Sequence, residues 1–159
     1  MAIGIGIDIG SVSIKLAIIG GDEDTPLLRS IADKPGFFTL DRRDGDCVPL
    51  VLSRYIRIKG QPLEALDALL RPLRDALGDR MSGVTVTGSG ARLASSKYHA
   101  RRINEFSAIV DAVNLLYPET RTVFEMGGET SKYILLERNA RTGKLTIVDY
   151  GTNGDCAAG

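Results

Sequence analysis

Apolar residues recur at every second position from Ile3 to Ile9, with Gly4, Gly6 and Asp8 between them. A period of two predicts a β-strand. Gly10-Ser11 breaks the run, and residues 12–20 resume it as the second strand of a hairpin. A polar glycine turn follows from Gly20 to Asp24. Leu27 to Ala32 reads as a short third strand. Residues 34–49 read as a loop, with Pro35, Gly36, Gly45, Cys47 and Pro49 among charges, and Val51 to Ile58 as another strand. The period then changes. Leu63, Leu66, Leu69, Leu70, Leu73 and Leu77 recur at spacings of three and four, predicting an amphipathic helix over 61–77. Pro62 suits its first turn, Gly78 its end, and Pro72 predicts a kink or a split. Val84 to Thr87 is a short strand that runs into Gly88-Ser89-Gly90. Phe106, Ile109, Val110, Val113 and Leu116 share one face of a second helix over 105–116, with Asn104 as its N-cap and Pro118 as its stop. Strands over 121–126, 130–137 and 144–150 close the chain. The order is β-β-β-(β)-α-β-α followed by β-β-β, an α/β fold, with a domain boundary expected near Pro118.

The first hairpin carries candidate chemistry. Asp8 lies on the face opposite the isoleucines, beside Gly6 and Gly10, so a ligand can approach the backbone closely. The N–H groups of Gly10, Ser11, Val12 and Ser13 can form a concavity for a phosphate. Asp8 suits the accompanying Mg²⁺, held through water. Taken alone, the stretch reads equally as an ordinary hairpin whose aspartate faces solvent. A second copy changes that balance. Phe124, Glu125, Gly127 and Lys132 each lie 117 positions after Ile7, Asp8, Gly10 and Lys15. Each copy is an apolar strand, an acid, a glycine turn and a second strand with a lysine. The repeat predicts a duplicated domain, its two acid–glycine hairpins facing each other across a cleft.

This constellation resembles the actin-like ATPase superfamily, in which two such hairpins clamp the β- and γ-phosphates of ATP with Mg²⁺. Asn153-Gly154-Asp155-Cys156-Ala157-Ala158-Gly159 resembles the N-x-x-C-A-A-G signature of the activators of 2-hydroxyacyl-CoA dehydratases and benzoyl-CoA reductases. Thr87-Gly88-Ser89-Gly90-Ala91-Arg92 is similar to that family's T-G-x-G-R segment, with one extra residue, and Asn104 to Ala108 to its short glutamate-containing segment. The resemblance covers essentially the whole chain. It implies a ribonuclease-H-like lobe over 1–118, with a mixed β-sheet and flanking helices, and the first β-meander of a second lobe over 119–159.

By the same resemblance, Gly10 to Ser13 and Gly127, Gly128 and Glu129 hold the phosphates, with Gly88 and Gly90 near the cleft. Asp8 and Glu125 bind Mg²⁺ or its waters, Lys15 offsets phosphate charge, and Glu105 orients the attacking water. Cys156 ligates a [4Fe–4S] cluster that bridges two identical subunits, each supplying two cysteines. ATP hydrolysis then drives an electron to a CoA-ester dehydratase or reductase partner. The chain departs from the family at Glu125, where aspartate is usual, and at Glu129-Thr130, where Gln-Asp is usual. The second cluster cysteine is absent, and Cys47 precedes the signature, so no cluster is expected in this stretch by itself. A sugar or small-molecule kinase of the same superfamily and a non-hydrolysing nucleotide-binding assembly module are the alternatives.

Composition bounds these readings. With 20 basic and 20 acidic residues the net charge is zero, which argues against a nucleic-acid or polyanion binder. No apolar run approaches the roughly 20 residues that span a bilayer, and Met1 leads straight into a strand, so a cytoplasmic protein is expected. Two cysteines give no disulfide framework, and Cys47 reads as a small apolar residue or a bystander. Arg92, Lys97, His99, Arg101 and Arg102 cluster around Tyr98 as a solvated basic face or a contact for an acidic partner, and His99 has no metal-ligand companion. At 159 residues the chain is short for a two-lobed fold. It reads as a piece of a longer protein that binds ATP weakly or not at all by itself.

Overall fold

The structure, a computed structural model, describes residues 3–40, 50–128 and 130–153. The chain forms two compact units, residues 1–103 and 104–159.

The first unit is built on β1 (Ile3–Ile9) and β2 (Ser13–Ile19), an antiparallel hairpin in which Asp8 stands opposite Lys15. Ile3, Ile5, Ile7 and Ile9 are all buried, so the period-two pattern describes a strand with one face in the core. The segment expected as a third strand is instead a helix, α1 (Thr25–Ala32). Pro26 in its first turn and the i, i+3 burial of Leu28 and Ile31 fit a helical period. Just before it, buried Asp24 accepts from the Gly21 N–H at 2.9 Å and pairs with Arg80 at 2.8 Å. The expected loop contains β3 (Phe37–Leu40), whose Phe37 is buried. Val51 to Ile58 becomes two short strands, β4 (Leu50–Ser53) and β5 (Ile56–Arg57).

Helix α2 (Pro62–Leu77) buries Leu66, Leu69, Leu70, Leu73 and Leu77. It is one helix with Pro72 inside it rather than two. Pro72 and Ala68 lie on the exposed side, where water can serve the carbonyl that the missing N–H leaves unbonded. After it come β6 (Met81–Thr87), α3 (Ala91–Tyr98) and β7 (Arg101–Arg102). The sheet order is β3-β4-β2-β1-β6-β7, with β5 also pairing β2. β6 runs parallel to β1, placing Thr87 level with Asp8, so the Gly88 turn leaves the sheet beside the hairpin turn.

The second unit starts one helix earlier than the Pro118 boundary expected from the sequence. Helix α4 (Glu105–Leu116) packs on a three-stranded antiparallel sheet, β8 (Thr122–Met126), β9 (Ser131–Arg138) and β10 (Leu145–Asn153), in the order β10-β9-β8. Val110, Ile134, Leu136 and Leu145 form its core, with Phe106, Ile109, Val113, Val123 and Ile147 against it. Asn114 ties the helix to the sheet. Its amide donates to the Leu145 carbonyl at 3.1 Å and accepts from the Leu145 N–H at 2.7 Å. Asn104 caps α4, its Oδ1 accepting from Phe106 N–H at 2.9 Å and Ser107 N–H at 3.4 Å.

Candidate functional site

The repeat read from the sequence persists in the backbone. In the first turn the Gly10 N–H donates to the Ser13 carbonyl at 2.9 Å, and in the second the Gly127 N–H donates to the Thr130 carbonyl at 2.9 Å. Asp8 and Lys15 are register partners, and so are Glu125 and Lys132. All these positions keep the offset of 117. Each turn is thus closed by the same bond and flanked by an acid facing a lysine across the hairpin.

Around the first turn the structure gathers Asp8, Gly10, Ser11, Val12, Ser13, Lys15, Gly88 and Gly90. Lys15 Nζ lies 3.4 Å from Asp8 Oδ2, with both side chains well exposed, so the pair is weak and open to exchange. Lys15 shares a face with Asp8, which the sequence could not place. Gly88 is required where it stands. Its φ is +89°, and a Cβ there would lie 2.5 Å from the Ile9 carbonyl oxygen and 2.6 Å from Asp8 Oδ1. A Cβ on Gly90 would lie 2.4 Å from Ile9 Cγ2, and its N–H donates to the Ile9 carbonyl at 2.8 Å. The glycine turn therefore presses on the strand end that carries Asp8. Thr87 Oγ1, beside it, is buried with no hydrogen-bond partner among the described residues.

The second unit holds Glu105, Glu125, Gly127 and Gly128. Lys132 joins the two acids, its Nζ donating to Glu125 Oε2 at 2.7 Å and to Glu105 Oε1 at 3.2 Å. Its side chain is only 8% exposed, against 32% for Glu125 and 39% for Glu105. Burial works against the Lys132 charge. The hydrogen bonds from Glu125 and Glu105, with their negative charges, outweigh it and hold the ammonium above its ordinary value. Lys132 is the residue that sequence reasoning left out of the site. Its position in the repeat, matching Lys15, was the available signal.

Glu129, Cys47 and Cys156 lie outside the described residues. Among the described residues no group of three or more His, Cys, Asp or Glu is placed to hold a metal ion. Part of the basic cluster is tied to α2 at the surface. Lys97 Nζ donates to Asp67 Oδ2 at 2.6 Å, and the Tyr98 hydroxyl donates to Asp67 Oδ1. These bonds, from Lys97 first, hold the Asp67 carboxyl below its ordinary range. No helix among the described residues is long and apolar enough to cross a membrane.

No family model matches the chain. It is 28% identical over 154 residues to a 2-hydroxyisocaproyl-CoA dehydratase activator of Clostridioides difficile, covering 97% of this chain and 47% of that protein. The solved activator of the 2-hydroxyisocaproyl-CoA dehydratase from Clostridium difficile, with bound ADPNP, matches 98% of the chain at 25% identity and a TM-score of 0.57, over 47% of its own length. Component A of the Acidaminococcus fermentans (R)-2-hydroxyglutaryl-CoA dehydratase shares the fold, with a TM-score of 0.61 at 18% identity, over 99% of this chain and 49% of that one. The chain spans about half the length of these relatives.

Proposed function

We propose that this chain, similar over nearly its whole length to a 2-hydroxyisocaproyl-CoA dehydratase activator and with the fold of the actin-like ATPases, supplies the phosphate-binding hairpins of an ATP-dependent activator. The observation that carries the reading is the repeated turn, the same 2.9 Å bond closing Gly10 to Ser13 and Gly127 to Thr130, each beside a cross-strand acid–lysine pair. Catalysis of phosphoryl transfer is mostly positioning and electrostatics, and these parts serve both. The Gly10 and Gly127 N–H groups close their turns, the Ser11 and Val12 N–H groups of the first turn bind phosphoryl oxygens, and Gly88 and Gly90 let the neighbouring turn close on Asp8. Mg²⁺ keeps several waters and takes one or two carboxylates plus substrate phosphates. Asp8 in the first unit and Glu125 in the second are the carboxylates that would hold the ion or its waters, and that demand needs no cluster of three protein ligands. Bound Mg²⁺ would offset phosphate charge. Glu105, fixed by Lys132, is the group that orients the attacking water.

The iron–sulfur part of the reading belongs to Cys156, which the family signature makes one of four thiolates contributed by two identical subunits. The partner is a CoA-ester dehydratase or reductase component, and the expected compartment is the cytoplasm. A second reading, a nucleotide-binding module that does not hydrolyse, is favoured by one observation. A single buried ammonium already engages both Glu105 and Glu125.

Measuring nucleotide binding and hydrolysis separately on the whole protein, purified without oxygen, decides between the two. Turnover of ATP, with about four irons per cluster and a visible chromophore lost in Cys156→Ser, is the expected result. Binding without turnover moves the assignment to the second reading. A colourless protein that hydrolyses ATP removes the iron–sulfur role.

A further inference from the structure

Beside the first turn, Ser11, Val12, Arg57, Ile58, Lys59 and Gly60 line a cavity of about 300 Å³. The register explains why these segments meet. β5 pairs with β2, Arg57 opposite Ser13, and the Ile58 N–H donates to the Val12 carbonyl at 3.1 Å. The stretch after β5 is thereby strapped along the hairpin turn. Two of the six lining residues are cationic, both are exposed, and none is acidic. The strap then leads into α2. The Gln61 N–H donates to the Ile58 carbonyl at 2.7 Å, and no side chain caps the helix start, which adds its own partial positive charge. Lys59 has φ +46°, a conformation that residues other than glycine, asparagine and aspartate adopt rarely, and such departures gather at ligand sites.

We propose that Arg57 and Lys59 form the second wall of an anion site whose first wall is the Ser11-Val12 turn, and that the site takes a chain of phosphoryl groups. The inference rests on reading that turn as phosphate-binding. A site of this volume leaves room for a hydrated phosphoryl chain. The charge pattern suits it too. Two cationic residues line the same cavity as Ser11 and Val12, with no carboxylate among its lining residues. The ligand chemistry is a chain of phosphoryl groups, delivered by a nucleoside triphosphate or as free inorganic polyphosphate.

The test is amide NMR on the full chain. Inorganic tripolyphosphate, inorganic phosphate, ATP and adenosine are titrated separately into wild type and into the double variant Arg57→Gln/Lys59→Asn. Asparagine is chosen because it tolerates the left-handed backbone. Arg57→Gln alone, which leaves that backbone untouched, keeps the test open should the double variant fail to fold. The expected result is that tripolyphosphate and ATP shift the Ser11, Val12 and Gly60 amides and adenosine shifts none. The double variant then weakens tripolyphosphate binding about tenfold and flattens its salt dependence, the direction expected when two cations are lost. Inorganic phosphate giving the same shifts at the same concentration overturns the assignment to a phosphoryl chain. Unchanged tripolyphosphate affinity in the variants, or no shift at those amides in wild type, overturns the proposal.

The two readings fail separately. ATP that shifts the Gly10 to Ser13 amides equally in wild type and variants overturns the cationic wall alone. Tripolyphosphate binding that depends on Arg57 and Lys59, with ATP moving no turn amide, supports the wall and removes the nucleotide reading.

Discussion

Lys15 and Lys132 hold equivalent register positions, yet their surroundings differ. Lys15 is 55% exposed and meets one exposed carboxylate at 3.4 Å, whereas Lys132 is 8% exposed and meets two. Lys15→Met is therefore expected to change stability by less than about 1 kcal/mol. Lys132→Met leaves Glu105 and Glu125 close together without their shared cation and is expected to cost about 1–3 kcal/mol. Urea denaturation of both variants checks the contrast, and equal losses would contradict it. The sign with pH follows from the raised Lys132 ammonium. Its contribution is whole below the ordinary value of 10.5 and drains as pH rises through the higher value of the folded state. The difference in stability between wild type and Lys132→Met should shrink above that pH. A difference that stays constant into the alkaline range would show that packing, not charge, is lost. The acid–lysine spacing of each hairpin was legible in the sequence. That Lys132 also reaches Glu105 was not, because the two meet only when α4 is laid against the second sheet.

At the scale of elements, legibility followed the length of the periodic signal. α2 and α4 carry several turns of apolar residues at helical spacing, and both stand where that spacing placed them. Leu27 to Ala32 carries too few residues to separate a period of two from one of 3.6. Pro26 in the first turn and the burial of Leu28 and Ile31 three apart fit helix. Asn104 was read correctly because a cap needs only a local side chain and two nearby N–H groups. Asn104→Ala should cost about 1 kcal/mol, measured as a lower denaturation midpoint with an unchanged slope. In the sequence the Gly88 turn is a short strand running into two glycines, placed near the cleft only by resemblance. What decides its geometry, the approach to Ile9 and Asp8, is a contact between distant strands. Gly88→Ala should cost about 1–3 kcal/mol and shift the Asp8 and Ile9 amides. A variant as stable as wild type would show that the turn can relax away from β1.

Over the whole molecule, the sequence called for a duplicated architecture, and each of the two units carries one copy of the hairpin. The apolar surface is distributed unevenly. Phe124 is 74% exposed and Met126 79% exposed on β8, and Tyr133, opposite Phe124 on β9, is exposed on the same face. These side chains make a patch for apolar ligands on the face of the sheet away from its core. The chain should therefore enhance the fluorescence of an apolar dye in its native state, and Phe124→Ser/Met126→Ser should remove most of the enhancement. Equal enhancement in the variant would place the dye elsewhere. Balanced charge offers no long-range attraction for phosphates, so recognition must be local to the turns. Local recognition gives the most direct test of the account. Millimolar ATP with Mg²⁺ is added to the isotope-labelled whole protein, and the Gly10 and Gly127 amides are followed together. Both are expected to move with ATP and neither with adenosine. A folded whole protein in which ATP moves neither amide would contradict the phosphate-binding role of the two turns.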